Sequence, residues 1–296
     1  MSRTLATAIG MAAILLWSSL ALLTTGARAV PPFLLTGVTF GVAFLIALGL
    51  WAARGQNPLN RLRLPLQVWL VGIGGLFGYH FLYFLALRLA PPVEANLINY
   101  LWPLLIVLFS ALLPGERLRW FHLAGAGLGL AGTVLIVTGG EIRLRAEHAA
   151  GYVAALGCAA TWAAYSVRSR VYAEIPSDAI GGFCGATAIL AFTCHLVLEP
   201  AGWPADAATW ATVVALGLGP VGAAFFLWDH GVKRGDIKAL GALAYLTPLL
   251  STGLLVAFGR AETSPTLAAA TALIVGGGAL GAGGLYRRRV AAPEPA

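Results

Sequence analysis

The side chains in this sequence that could do chemistry are few, and most are neutral. Asn96, Asn99 and Pro103 stand at i, i+3 and i+7, on one face of a helix. An amide donates and accepts without a fixed charge. The pair can therefore meet a zwitterion, or it can glue two helices together. Gly72, Gly75, Tyr79 and Tyr83 form a second stripe, with His80 beside it. A histidine there is either a neutral, hydrogen-bonded core residue or a contact for substrate or proton. Trp17, Tyr79, His80, Tyr100, Trp102, Trp162 and Tyr245 all lie deeper than an interfacial aromatic belt would place them. Core packing accounts for some of these rings. Gathered together, they would wall a cavity suited to a flat apolar side chain by stacking, or to a cation by its charge. Glu94 follows Pro91-Pro92 in a first helical turn, where it favours the helix dipole or reads an ammonium group.

Other chemistries find little support. The sequence contains no His-Glu-x-x-His, no inward carboxylate pair and no Gly-x-Ser-x-Gly elbow, which counts against a membrane enzyme. No filter or ring of polar groups marks a channel. Cys158, Cys184 and Cys194 have no paired spacing and read as small apolar filler. No metal or cofactor is expected.

The elements that must position these residues follow from composition. Of 296 residues, 59% are hydrophobic and only 10% charged, against about 25% charged in ordinary soluble domains. A bilayer is the fitting solvent. Spanning it takes roughly 20 apolar residues, and ten windows qualify: about 5–25, 31–53, 66–87, 93–113, 120–139, 150–167, 179–198, 208–228, 239–258 and 265–286. Glu94 is the only Asp, Glu, Lys or Arg inside them, and the sixth is short. A β-barrel would show shorter alternating segments. The first window is too long for a signal peptide's core and is expected to stay as a helix.

The net charge of +7 is a matter of topology, not of nucleic acid. With the N-terminus inside, the inner loops and ends hold Arg3, Arg54, Arg61, Arg63, Arg117, Arg119, Arg168, Arg170, Lys233, Arg234, Lys238 and Arg287 to Arg289, fourteen in all. The outer loops hold five: Arg28, Arg88, Arg143, Arg145 and Arg260. This bias places both termini in the cytoplasm of a bacterial-type inner membrane. The terminal arginine run then anchors topology and meets lipid.

The sequence also repeats itself at an offset of 145. Trp17 matches Trp162, Gly72 and Gly74 match Gly217 and Gly219, and Gly132 matches Gly277. Tyr100-Leu101-Trp102-Pro103-Leu104-Leu105 matches Tyr245-Leu246-Thr247-Pro248-Leu249-Leu250. The division is 1–145 and 146–296, the second ending in a short basic tail. Five spans per half turn the second half over in the membrane. The fold expected is thus an all-α integral membrane protein of ten transmembrane helices in two inverted five-helix repeats, the architecture of secondary transporters. Pro103 and Pro248 recur at matching mid-helix positions. Each removes a backbone hydrogen bond, freeing the carbonyls of Asn99 and Ala244 to kink a helix, either for packing or to flank a central cavity. Gly74-x-x-x-Gly78, Gly125-x-x-x-Gly129 and Gly277-x-x-x-Gly281 permit close helix approach. The Gly-rich fifth and tenth helices belong at the periphery or at a homodimer contact.

The paired Tyr-Leu-x-Pro-Leu-Leu motifs, each followed by a glycine and a glutamate at the helix exit (Gly115-Glu116; less cleanly Gly259-Arg260-Ala261-Glu262), resemble the drug/metabolite transporter superfamily in its ten-helix branch of two EamA-type repeats. Within it the pattern is similar to bacterial aromatic amino-acid exporters. The resemblance implies alternating-access export of a small metabolite, with Trp, Phe and Tyr as the first choice. The cavity chemistry agrees: no Arg or Lys lies deep in a span to clamp a phosphate. A broad-specificity drug or metabolite efflux carrier is the rival reading.

Overall fold

The computed structural model describes residues 1–140, 144–200, 202–204, 206–259 and 262–290, with side chains placed as far as Gly281. Arg143, Arg260, Ala261 and the side chains of Arg287 to Arg289 lie outside the described residues. Everything regular among the described residues is helical.

Eight helical runs are long and apolar enough to cross a membrane: α1 Arg3–Ala27, α2 Pro32–Ala53, α3 Leu66–Leu89, α4 Pro92–Leu112, α5 Trp120–Thr138, α7 Ser177–Leu198, α8 Ala207–Arg234 and α9 Ile237–Ala257. Among the described residues there are two further long helices, α6 Ala149–Val171 and α10 Pro265–Val290, the latter apolar over Pro265–Gly281, and a single helical turn at Pro58–Arg61. Helix starts follow local chemistry. Prolines open α2 and α4, where a missing N–H costs nothing. Asp206 and Asp236 accept backbone N–H bonds at the starts of α8 and α9.

Two helices run past their apolar windows. The sixth, whose window 150–167 is short, forms a helix of 23 residues. Its polar stretch Ser166 to Arg170 stays helical because Ser166 and Ser169 are buried against protein and Arg170 has partners. Glu94 is the only charge within the windows, but not within the helices. α8 continues past residue 228 to Arg234, burying Asp229 (1% exposed) and Lys233 (8%) as a pair 2.9 Å apart. Spaced i, i+4 on one helix, the two neutralise each other, so the apolar window ends before the helix does.

The prolines break their helices rather than merely bending them. α4 divides into Pro92–Asn99 and Trp102–Phe109, and α9 into Ile237–Leu243 and Leu246–Ala257. The Ala244 carbonyl, deprived of Pro248, accepts the Thr247 N–H at 3.0 Å instead. The Leu104 N–H donates to the Tyr245 hydroxyl at 3.2 Å, so the break in α9 completes the break in α4. A second matched irregularity is a turn of π-helix at Gly74–Gly78 in α3 and at Gly219–Ala223 in α8. Such a turn loosens carbonyls. Here two aromatic N–H groups take them: His80 Nδ1 lies 2.7 Å from the Leu76 oxygen, and Trp17 Nε1 donates to the Pro220 oxygen at 3.0 Å.

The helices pair α5 with α10, α2 with α7, α1 with α8 and α3 with α6. The second half of α4 packs on α6, and the second half of α9 on α1. α5 and α10 meet backbone to backbone: a Cβ on Gly125 would stand 2.6 Å from the Gly277 oxygen. With no hydrophobic drive between helices in lipid, such close contact supplies the attraction. It occupies these glycines within one chain.

Candidate functional site

α1, α4, α6 and α8 bring four tryptophans to one point. Trp17 lies 6.2 Å from Trp102, 5.7 Å from Trp162 and 5.1 Å from Trp228 between ring centroids, and Trp102 and Trp162 are 6.5 Å apart. Most of these contacts are edge-to-face, each worth about 0.5–1.5 kcal/mol beyond burial. Phe225 joins at 6.0 Å from Trp17 and stacks on Phe40 at 5.3 Å. Trp228 Nε1 donates to Ser166 Oγ at 3.0 Å. The four indoles are nearly buried, and they form a floor.

α3 and the first half of α4 stand over this floor with a polar face. Tyr79 and Tyr83 are stacked at 6.1 Å, and Tyr79 reaches Trp162 at 5.4 Å. The Tyr83 hydroxyl donates to Asn96 Oδ1 at 2.6 Å, and Asn99 Nδ2 donates to the Tyr79 hydroxyl at 3.1 Å. Tyr79, His80, Tyr83, Asn96 and Tyr100 are half-buried, whereas Asn99 is 6% exposed. Two acceptors remain open. Asn99 Oδ1 is buried with no hydrogen-bond partner. The bond from His80 to the Leu76 carbonyl requires the proton on Nδ1, so the neutral ring leaves Nε2 as an acceptor. An unpaired buried acceptor costs about 1–3 kcal/mol, a cost that a ligand donor would relieve.

The structure thus gathers Trp17, Tyr79, His80, Tyr83, Asn96, Asn99, Trp102 and Trp162, with Tyr100 at the break of α4. Tyr245 stands apart. It is fully buried, packed over Gly129, with its hydroxyl on Leu104. Pro103 and Pro248 begin the second segments of their helices and are buried. Glu94, half-buried in the first turn of α4, accepts a hydrogen bond from the Tyr152 hydroxyl of α6. Sequence reasoning missed Phe40, Phe225 and Trp228. The last two were within reach, since 145 added to His80 and Tyr83 gives Phe225 and Trp228.

It also missed the charged end of the bundle. Glu116, in the α4–α5 loop, holds Lys238 at 2.5 Å, Arg3 at 3.4 Å and Arg170 at 3.4 Å. Arg3 also reaches Asp236 at 3.1 Å. Arg170 donates to the carbonyls of Val232 and Gly235 at 3.0 and 2.8 Å, closing the end of α8. Partial burial alone would raise the Glu116 pKa, but the Lys238 hydrogen bond and the charges of Lys238, Arg3 and Arg170 prevail and hold it below the usual glutamate range. At the opposite end, Glu199 accepts the N–H groups of Phe33 and Leu34 at 2.8 and 3.2 Å, capping α2, with His195 2.9 Å away.

Residues 4–138 and 149–281 each match the EamA-like transporter family. A protein of Ancylobacter novellus named aromatic amino acid exporter YddG is 56% identical over 282 residues, covering 95% of this chain and 98% of that protein. An Escherichia coli protein of the same name is 28% identical over 300 residues, covering 95% and 97%. A probable terminal-alkyne amino-acid exporter of Streptantibioticus cattleyicolor is 27% identical over 249 residues, covering 82% and 78%. A solved crystal structure at 54% identity superposes with a TM-score of 0.92, covering 98% of this chain and all of that one.

Proposed function

We propose that this chain, which belongs to the EamA-like transporter family, exports aromatic amino acids across the inner membrane by alternating access. The observation that carries the substrate class is the open Asn99 Oδ1 above the four-tryptophan floor. An aromatic ring can stack on the floor while its ammonium donates to Asn99 and to His80 Nε2. A phosphorylated substrate would lack a cation there, and a lipophilic dication a carboxylate. The names of the YddG relatives agree.

The architecture proposed is ten spans in two inverted repeats, with both termini cytoplasmic. Three features support it. The helix pairing is unchanged when each helix n is exchanged for helix n+5, since α5–α10, α2–α7, α1–α8 and α6–α3 all map onto themselves or one another. The π-turns fall 145 residues apart. The two family matches flank residue 145. In this orientation the polar face of α3 and α4 lies in the outer half, and the Glu116 network ties the helices together at the inner end.

Purified protein in proteoliposomes tests the function. Loaded with Trp, Phe, Tyr, Ser, Asp or a lipophilic cation, it should release the three aromatic amino acids fastest. Serine and aspartate leaving as fast as tryptophan, or amino acids not moving at all, would reject the reading. Repeating the efflux with and without a pH gradient assigns the energy source.

A further inference from the structure

A cleft of about 530 Å³ lies between α3, the second half of α4 and α6, lined by residues nearer the Leu66 end of α3 than Tyr79 and Tyr83 are. Its walls are apolar, among them Leu70, Phe109, Leu112 and the ring of Tyr165, and Arg168 stands at one end. Gly74 opens onto it: a Cβ there would meet no atom within 4 Å. Arg168 is exposed, with its guanidinium 5.6 Å over the Tyr172 ring. Among the described residues no carboxylate pairs with it, although Arg3, Arg170 and Lys238 nearby are all paired through Glu116.

We propose that this cleft binds one anionic glycerophospholipid of the cytoplasmic leaflet, with an acyl chain along α3 and the phosphate on Arg168. The placement rests on the orientation proposed above, which puts the end of α6 at the inner face. The charge complement decides the occupant. A zwitterionic amino acid would bring an ammonium into a cleft whose only charged group is a cation, whereas a phosphodiester brings the anion that cation lacks, attached to chains that suit the walls. Arginine presents a fork matched to phosphate oxygens. The cleft backs onto Gly75 and Tyr165, which are so close that a Cβ on Gly75 would lie 2.2 Å from the Tyr165 ring. Tyr165 in turn lies 5.2 Å from Trp162 of the floor. A bound chain would therefore brace α3 against α6 directly behind the substrate site.

The test is native mass spectrometry of the full chain released from vesicles of phosphatidylcholine with phosphatidylglycerol, alongside Arg168→Gln and the cleft-filling Gly74→Leu. Wild type should retain one phosphatidylglycerol, and Arg168→Gln should retain about tenfold less, the loss of one charge-assisted contact. Gly74→Leu should lose it as well while eluting as a monodisperse protein. Equal retention by all three, preference for phosphatidylcholine, or retention only of added free oleate would each overturn the proposal. Tryptophan efflux run on the same samples separates this outcome from failure of the exporter reading, because Arg168→Gln lies outside the substrate site.

Discussion

The hairpins α3–α4 and α8–α9 share a backbone and a Tyr-Leu-x-Pro-Leu-Leu motif but few of their polar side chains. Each has a π-turn in its first helix and a proline break in its second. In α3–α4 the middle of the hairpin carries Tyr79, His80, Tyr83, Asn96 and Asn99. The matching positions of α8–α9 are Ala224, Phe225, Trp228, Gly241 and Ala244. Polar groups stand on one copy and rings or small residues on the other, so the hydrogen-bonding groups come from α3–α4 while α8 adds Phe225 and Trp228 to the aromatic floor. Charge is distributed the opposite way. α8–α9 bears Asp229, Lys233, Asp236 and Lys238 where the two helices join, tied to α1, the α6–α7 loop and the α4–α5 loop. The repeat thus supplies a symmetric frame on which the side chains diverge: in the function proposed above, α3–α4 gives the polar contacts to the substrate, α8 adds Trp228 to the floor, and the charged end of α8–α9 would close the inner side.

The largest effect expected from this division is at Asn99. Asn99→Ala removes the open acceptor, and a hydrogen bond to a charged group is worth about 1.5–3 kcal/mol. Tryptophan affinity should therefore fall roughly tenfold to a hundredfold, while Gly127→Ala on α5, whose Cβ would meet open space, leaves it unchanged. Titration of the detergent-solubilised proteins with tryptophan decides the matter. Similar affinities for the two variants would end the claim that polar recognition is confined to α3–α4.

A smaller effect is expected at the charged end. Glu116→Gln keeps the shape of the side chain but leaves Lys238, Arg3 and Arg170 facing one another without an anion. That end should open more often, and, if it faces the cytoplasm as proposed, a cysteine placed at buried Ser169 should react faster with an impermeant maleimide from the inner side. The pH dependence has a definite sign. Glu116 has a lowered folded pKa, so its contribution is present above the ordinary glutamate value and is lost only as pH falls through the lowered one. Labelling of Ser169→Cys in otherwise native protein, divided at each pH by the rate for the same thiol in unfolded protein because only the thiolate reacts, should then be flat from neutral pH down to the ordinary glutamate range, about 4.3, and rise only below it. A rise near pH 6 would point to a histidine instead.

The frame was legible in the sequence because it depends on local signals. Apolar runs, the 145-residue offset and the two prolines locate the helices and the places where α4 and α9 give way. The rings gathered because they occupy the inward faces of those helices, and the same offset leads from His80 and Tyr83 to Phe225 and Trp228. The inner network was not legible. Glu116 lies 113 residues from Arg3 and 122 from Lys238, and no periodicity links loop residues across such distances. Asp229 and Lys233 were hidden for a different reason: charges at the end of an apolar window look like a loop unless their i, i+4 spacing is read as mutual neutralisation.

The finest test of the comparison lies in the matched tyrosines at the two breaks. Tyr100 and Tyr245 occupy the same place in the repeat, yet Tyr100 is half-buried beside Asn99 while Tyr245 is fully buried and caps Leu104. Removing the Tyr245 hydroxyl strands the Leu104 N–H, because the break at Tyr100 and Leu101 has already taken away its acceptor in the preceding turn. An orphaned buried donor costs about 1–3 kcal/mol. Tyr245→Phe should therefore lower the melting temperature by a few degrees with tryptophan efflux close to normal. Tyr100→Phe should do the reverse, leaving thermal stability intact and slowing efflux modestly through loss of a polar group on the recognition face. Thermal unfolding and efflux measured on both variants give four numbers. If Tyr245→Phe slows efflux without touching stability, α9 takes part in polar recognition as well, and the two hairpins divide their work less cleanly than their side chains suggest.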